Sequence, residues 1–114
     1  MYTLIKSERF HDMNARVETV QIGAVSKAKR LVSYASVVCD ICMDTKAVYL
    51  YPRHRYGTTT TRQVTRFLSE MLGEQICGRD LDSVAREFKA TGPVMYEGYA
   101  WFLREYVLGT ENRW

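Results

Sequence analysis

Leu31 to Cys42 constrains the fold of this chain more than any other stretch. Leu31, Ser33, Ala35, Val37, Cys39 and Ile41 fall on one face of an extended segment, and Val32, Tyr34, Ser36, Val38, Asp40 and Cys42 on the other. Both faces are substantially apolar, which predicts one central strand of a sheet. Met43 to Lys46 reads as a hairpin loop and Ala47 to Tyr51 as the returning strand, stopped where Pro52 withdraws a backbone donor. Upstream, the β-branched and polar mixture Arg16 to Ile22 predicts a half-exposed strand ended by Gly23, with Ser26 to Arg30 as a basic connection. The short apolar run Tyr2 to Ile5 precedes a charged turn around Ser7 to Asn14.

The periodicity changes after Thr61. Val64, Phe67, Leu68, Met71 and Leu72 recur at helical spacing, with a threonine before Arg62 available as cap and Gly73 as stop. Asp80 is placed to cap a second helix whose stripe is Leu81, Val84, Ala85 and Phe88, ended by Gly92-Pro93. Met95, Tyr99, Phe102, Leu103 and Tyr106 suggest a third helix, with Gly98 as a weak point, Gly109 as a stop and a frayed tail over 110–114. Strands followed by helices, without repeats or a long linker, predict a single α+β domain over residues 1–114. The expected architecture is a small antiparallel sheet of about three strands, covered on one face by about three helices. Phe67, Phe88 and Phe102 are the expected layer between them.

At 114 residues, such a domain can bury a core without metal or disulfide staples. No apolar run approaches the ~20 residues of a membrane span, and no basic segment followed by an apolar core opens the chain. Three cysteines, an odd number, do not make a secreted disulfide framework, so the expected location is cytoplasmic. The net charge of +3 conceals an asymmetry: residues 27–66 hold eight Lys or Arg against two Asp. An acidic partner would be steered toward this middle region.

Reactive constellations are not legible. Cys39 and Cys42 have the spacing of a zinc half-site, but residues three apart on a strand point to opposite faces. Cys77 and His54 could complete four ligands only without the usual knuckle spacing, so packed thiols and no metal are expected. His11 and His54 accompany no nucleophile pattern, and carboxylates such as Glu70, Glu74, Asp82 and Glu87 fall on solvated helix faces. The Gly57-to-Thr61 run lacks the Gly-Lys of a phosphate-binding P-loop. No catalytic residue or cofactor is therefore expected, and a small enzyme or zinc-binding domain ranks behind binding functions.

What remains is the stretch from Arg53 to Arg66. A helix start offers free amides and a positive dipole end, and Arg53, Arg55, Arg62 and Arg66 surround it in sequence with His54 and Tyr56. These six are the expected partner-binding residues, with Lys27, Lys29 and Arg30 as additional basic contacts. The plain alternative is a solvated basic face. Tyr34, Tyr49, Tyr51 and Tyr56 lie in the same region, an association used by readers of single-stranded nucleic acid, where rings meet bases and arginines meet phosphates.

Leu31-Val32-Ser33-Tyr34, the hairpin after it, and Tyr56 to Leu68 resemble a group of small proteins carried by phages, plasmids and conjugative elements. The shared features are a "VSY" strand and a "Y-x-x-T-T" helix start. The resemblance covers roughly residues 30 to 70; Gly57 and Thr58 occupy its variable positions, and the two cysteines 39 and 42 lie outside its pattern. It implies no catalytic residues. It implies a mobile-element setting, in which inhibitors of host defence, including anti-CRISPR proteins, are a recurrent class. The expected partner is then a host protein or ribonucleoprotein such as a CRISPR nuclease or its guide RNA. The alternative is an accessory protein that binds RNA or single-stranded DNA directly; no membrane is involved in either.

Overall fold

A computed structural model describes residues 2–11, 14–22 and 26–104. Five strands run first: β1 (Tyr2–Arg9), β2 (Ala15–Ile22), β3 (Ser26–Ser33), β4 (Ser36–Cys42) and β5 (Val48–Leu50). Two helices, α1 (Thr58–Leu72) and α2 (Gly78–Thr91), precede a closing hairpin of β6 (Val94–Tyr96) and β7 (Tyr99–Leu103). The strands form one sheet in the order β1-β2-β3-β4-β5-β7-β6. All neighbours are antiparallel except β5 and β7, which run parallel, with Tyr49 opposite Phe102. No helix among the described residues is long and apolar enough to cross a membrane.

The sheet has two different faces. On one, Leu31, Cys39, Ile41, Val48, Leu50 and Trp101 pack with Val64, Phe67 and Leu68 of α1 and Leu81 and Val84 of α2. Burying such side chains contributes about 1.5–3 kcal/mol each, so this layer dominates stability. On the other face a cross-strand row joins Glu18, Arg30, Asp40, Tyr49 and Phe102. Arg30 is 0% exposed and grips Asp40 with two hydrogen bonds, Nε to Oδ1 and Nη2 to Oδ2, both 2.9 Å. The Tyr51 hydroxyl donates to Asp40 Oδ2 at 2.5 Å. Burial, then the charge and hydrogen bond of Asp40, push the Tyr51 pKa up, so it stays protonated. Beside this triad Val32, Val37 and Tyr51 form a second apolar cluster, and Tyr49 stacks on Phe102 at 5.0 Å between centroids.

Both sheet edges are guarded against further pairing. β1 carries an irregularity between Leu4 and Lys6 and a charged Lys6–Glu8 pair. β6 is three residues long. Bulges, charges and short edges each discourage association through open backbone groups.

The architecture corrects the expected small sheet with three helices: it is a seven-stranded mixed sheet with two. Two features account for the difference. The expected single strand Leu31 to Cys42 is two strands turning at Tyr34 and Ala35, a turn without Gly, Pro or Asn, through which the apolar alternation continues unbroken. The segment from Met95, expected to be helical, is the β6–β7 hairpin: Glu97 (φ 53°) and Gly98 (φ 82°) supply the two positive φ angles of a tight hairpin turn. Gly98 was thus the turn rather than a weak point in a helix. Trp101 and Phe102 point to opposite faces, so Trp101 joins the helix layer, while Phe102 stacks on Tyr49 instead of lying with Phe67 and Phe88. Residues 26–30 belong to β3 rather than to a connection, and β1 is a full strand.

The helix ends also differ in detail. α1 starts at Thr58 behind Gly57, without a side-chain cap. In α2 the N-cap is Cys77, and Asp80 sits at the third helical position, accepting a hydrogen bond from the Cys77 amide at 2.7 Å. Gly23, Tyr106, Gly109 and the tail 110–114 lie outside the described residues.

Candidate nucleic-acid interface

The segment between β5 and α1 is held from within. His54 Nδ1 donates to the Tyr51 carbonyl at 2.7 Å, and its amide donates to the same oxygen at 3.1 Å. The ring is buried, and burial first of all, with the Arg55 charge assisting, lowers its pKa, so it is neutral at pH 7. His54 is an internal prop for the loop and presents nothing to a partner.

The four arginines expected to form one surface have two different fates. Arg55 is tied to Asp82 of α2 through Nε at 3.0 Å and Nη2 at 2.9 Å, and Nη1 donates to Thr61 at 3.1 Å. Its guanidinium lies so close over Gly78 that a Cβ there would meet Nη1 at 2.7 Å. Arg55 therefore fastens the two helix starts together. Arg66 bonds Glu70 at 3.0 Å one turn on, and Glu70 also meets His11 at 2.8 Å. Although burial pushes the Glu70 carboxyl up, hydrogen bonds from Arg66 and His11 leave its pKa lowered. Arg53 and Arg62 are exposed and make no ion pair among the described residues. Arg53 lies 4.9 Å from the Tyr56 ring centroid, a cation–π contact.

The additional basic residues are not brought to this corner. Arg30 is locked on Asp40 at the opposite face of the sheet. Lys29 donates to Thr19 at 2.8 Å, and exposed Lys27 lies beside Met43, toward the end of β3 remote from Ser33.

A cleft of about 150 Å³ opens where the β3–β4 turn faces the loop and the first turn of α1. Its inner wall is Ser33, Val38 and Thr60, all buried. Its mouth carries Arg53, Tyr34 at 59% exposure and Tyr56 at 73%. Two backbone irregularities serve this cleft. Register shifts between Leu31 and Val32, where Leu31 faces Cys39 and Val32 faces Val37, so Val38 is left over and turns into the wall. Bulges recur beside functional sites because they re-aim a side chain. Tyr34 adopts φ 57°, the left-handed region that costs a non-glycine residue about 1–3 kcal/mol. Its amide is anchored to the Asn14 carbonyl at 3.0 Å.

Behind the wall, Ser33 Oγ donates to Gln63 Oε1 at 2.5 Å and lies 3.3 Å from Thr60 Oγ1. Gln63 is 0% exposed, and its Nε2 has no hydrogen-bond partner among the described residues. Tyr34 also borders a second, open groove with Arg9, Asn14 and Arg16. A third groove, lined by Gly57, Thr58, Thr61, Arg62 and Thr65 together with the paired Arg55 and Asp82, lies at the start of α1.

Tyr34, Ser33, Thr60 and Arg9 had no place among the expected contact residues. Tyr34 was visible as one of the tyrosines near the basic stretch, but its exposure depends on a turn that the apolar alternation concealed. The cysteines are scattered in environment: Cys39 is buried in the core, where burial and then the Asp40 charge push its thiol pKa up, and Cys77 is exposed at the cap of α2. Among the described residues no cluster of three or more His, Cys, Asp or Glu is placed to hold a metal ion.

Set against known proteins, the chain matches no family model, and no curated protein or solved structure matches it.

Proposed function

We propose that this chain is a non-enzymatic interaction protein that engages the single-stranded nucleic acid of a host nucleic-acid machine. The observation that carries the reading is that Arg53 and Arg62, neither in an ion pair among the described residues, stand with two exposed tyrosines, Tyr34 and Tyr56, along a cleft and a nearby groove. Arginines supply charge-assisted hydrogen bonds to phosphate, and tyrosine rings stack on unpaired bases. The guide RNA of a CRISPR nuclease is the instance that the resemblance to mobile-element proteins suggests, and a cytoplasmic location accords with it. The face is narrower than the sequence implied: Arg55 and Arg66 are occupied within the fold, and Arg9 lies beyond Tyr34 on the far side of the cleft.

A second reading, direct contact with the protein part of such a machine, draws on Tyr56 and Arg53, residue types that dominate protein interfaces. A gel-shift titration with single-stranded RNA and DNA over 50–200 mM salt, roughly the range in which phosphate contacts are resolved, separates the two. Affinity that falls steeply with salt, and is lost with Arg53→Glu plus Arg62→Glu in a variant that stays folded, supports the nucleic-acid reading. Failure to retard any single strand, with capture of a nuclease lacking its guide, replaces it by the protein reading.

A further inference from the structure

We infer that the Tyr34–Tyr56 cleft is a receptor for one unpaired base of the bound strand, with Tyr34 as the stacking residue. This rests on the reading above and adds to it a specific occupant. Size is the first argument. At about 150 Å³ the cleft is well below the ~300 Å³ at which pockets for whole small-molecule ligands begin, so it accepts a ring rather than a complete ligand or a folded peptide.

The second argument is the chemistry of the lining. Ser33 and Thr60 bring hydroxyls to the inner wall, and Val38 adds an apolar surface to it. Ser33 Oγ, its proton given to Gln63, is left to accept, while Thr60 Oγ1 can donate or accept, so together they can meet a base edge that offers a donor. Gln63, buried behind them and bonded to Ser33, holds that hydroxyl in place from a position no ligand reaches. Among the described residues the cation in the lining is Arg53, at the mouth, where a phosphate linked to the inserted base would pass. Arg62 and Arg9, in the other two grooves, are placed for the phosphates before and after it.

The third argument is the conformation of Tyr34. A two-residue hairpin turn with positive φ ordinarily takes glycine or asparagine, and this one holds a large ring, 59% exposed, in that position. Nothing in the packing of the described residues requires the ring: it belongs to neither apolar cluster. A strained, solvent-facing aromatic at a cleft mouth is what a stacking platform requires.

The test uses the full chain and fluorescence anisotropy with labelled ten-nucleotide single strands, intact or with abasic sugars at the central positions. The two probes carry the same phosphates. The base receptor predicts at least tenfold weaker binding of the abasic probe. It predicts a similar loss for Tyr34→Gly on the intact probe, together with a higher thermal midpoint, because glycine relieves the turn. Ser33→Ala weakens binding several-fold, and a circular-dichroism melt checks that this variant folds. Equal binding of intact and abasic probes, with Tyr34→Gly unchanged and Arg62→Glu still defective, removes the base receptor but leaves the nucleic-acid reading standing. No binding of either probe by the wild-type chain removes both.

Discussion

Two groups of arginines in this molecule have opposite uses. Arg30 sits on the inner sheet strand opposite Asp40, is excluded from solvent and is clasped by a carboxylate that also accepts from Tyr51. Arg53 and Arg62 stand in solvent beside exposed rings and hydroxyls, with no ion pair among the described residues. Charge density along the chain treats all three alike. What separates them is register: a one-to-one cross-strand pairing puts a carboxylate in front of Arg30, whereas the loop and helix start put none in front of Arg53 or Arg62. A buried pair of this kind makes the fold intolerant of losing one member. An exposed unpaired guanidinium leaves it indifferent and the surface available to a partner.

The comparison is broken most severely at Asp40. Asp40→Ala leaves the Arg30 charge buried without its carboxylate and is expected to lower unfolding free energy by about 3–5 kcal/mol in a urea titration. Replacing Arg30 and Asp40 together by Met and Leu should recover most of that loss, which a single-site packing effect would not.

Acid provides the next probe. His54 has a folded-state pKa below its unfolded value, so the folded chain resists the proton that the unfolded chain accepts. Its contribution is fully present above the unfolded value of about 6.5 and is lost as pH falls below it. Midpoints measured from pH 7.5 to 5 should decline, and His54→Gln should flatten that decline. Glu70 and Asp80, held low by their hydrogen bonds, act only further down, through the ordinary carboxylate range.

Arg55 is an intermediate case, exposed yet bidentate to Asp82. Arg55→Ala should cost about 0.5–1 kcal/mol, the upper range for a surface pair, with no further loss when Asp82→Ala is added. The smallest effect sharpens the contrast: Arg53→Ala and Arg62→Ala should each leave stability within about 0.5 kcal/mol of wild type while weakening binding to single strands.

Single elements, though not the architecture, were readable where residue pattern and geometry coincide. The α1 stripe, the Met43–Lys46 turn and the stops at Pro52, Gly73 and Gly92 follow from periodicity and turn chemistry. The remainder failed for physical reasons. Leu31–Cys42 alternates continuously through its turn because Tyr34, rather than glycine, occupies the left-handed position. The final hairpin imitates a helix because Met95, Tyr99, Phe102 and Leu103 satisfy three-and-four spacing by coincidence, although aromatic residues flanking Glu97-Gly98 suit strands better. At the candidate site, the basic stretch was legible, but which arginines stay accessible depends on Asp82 and Glu70, supplied by α2 and the later part of α1.

The parallel seating of β7 against β5 has a consequence for how the chain comes into being. Fifty residues pass between Leu50 and the strand's midpoint before the neighbour of β5 exists, and until then β5 offers an unoccupied row of amides and carbonyls. A polypeptide emerging from the ribosome therefore holds its meander half-roofed through the synthesis of both helices. A chain halted within that interval is expected to expose this edge of β5, which makes the closing hairpin the piece that covers it.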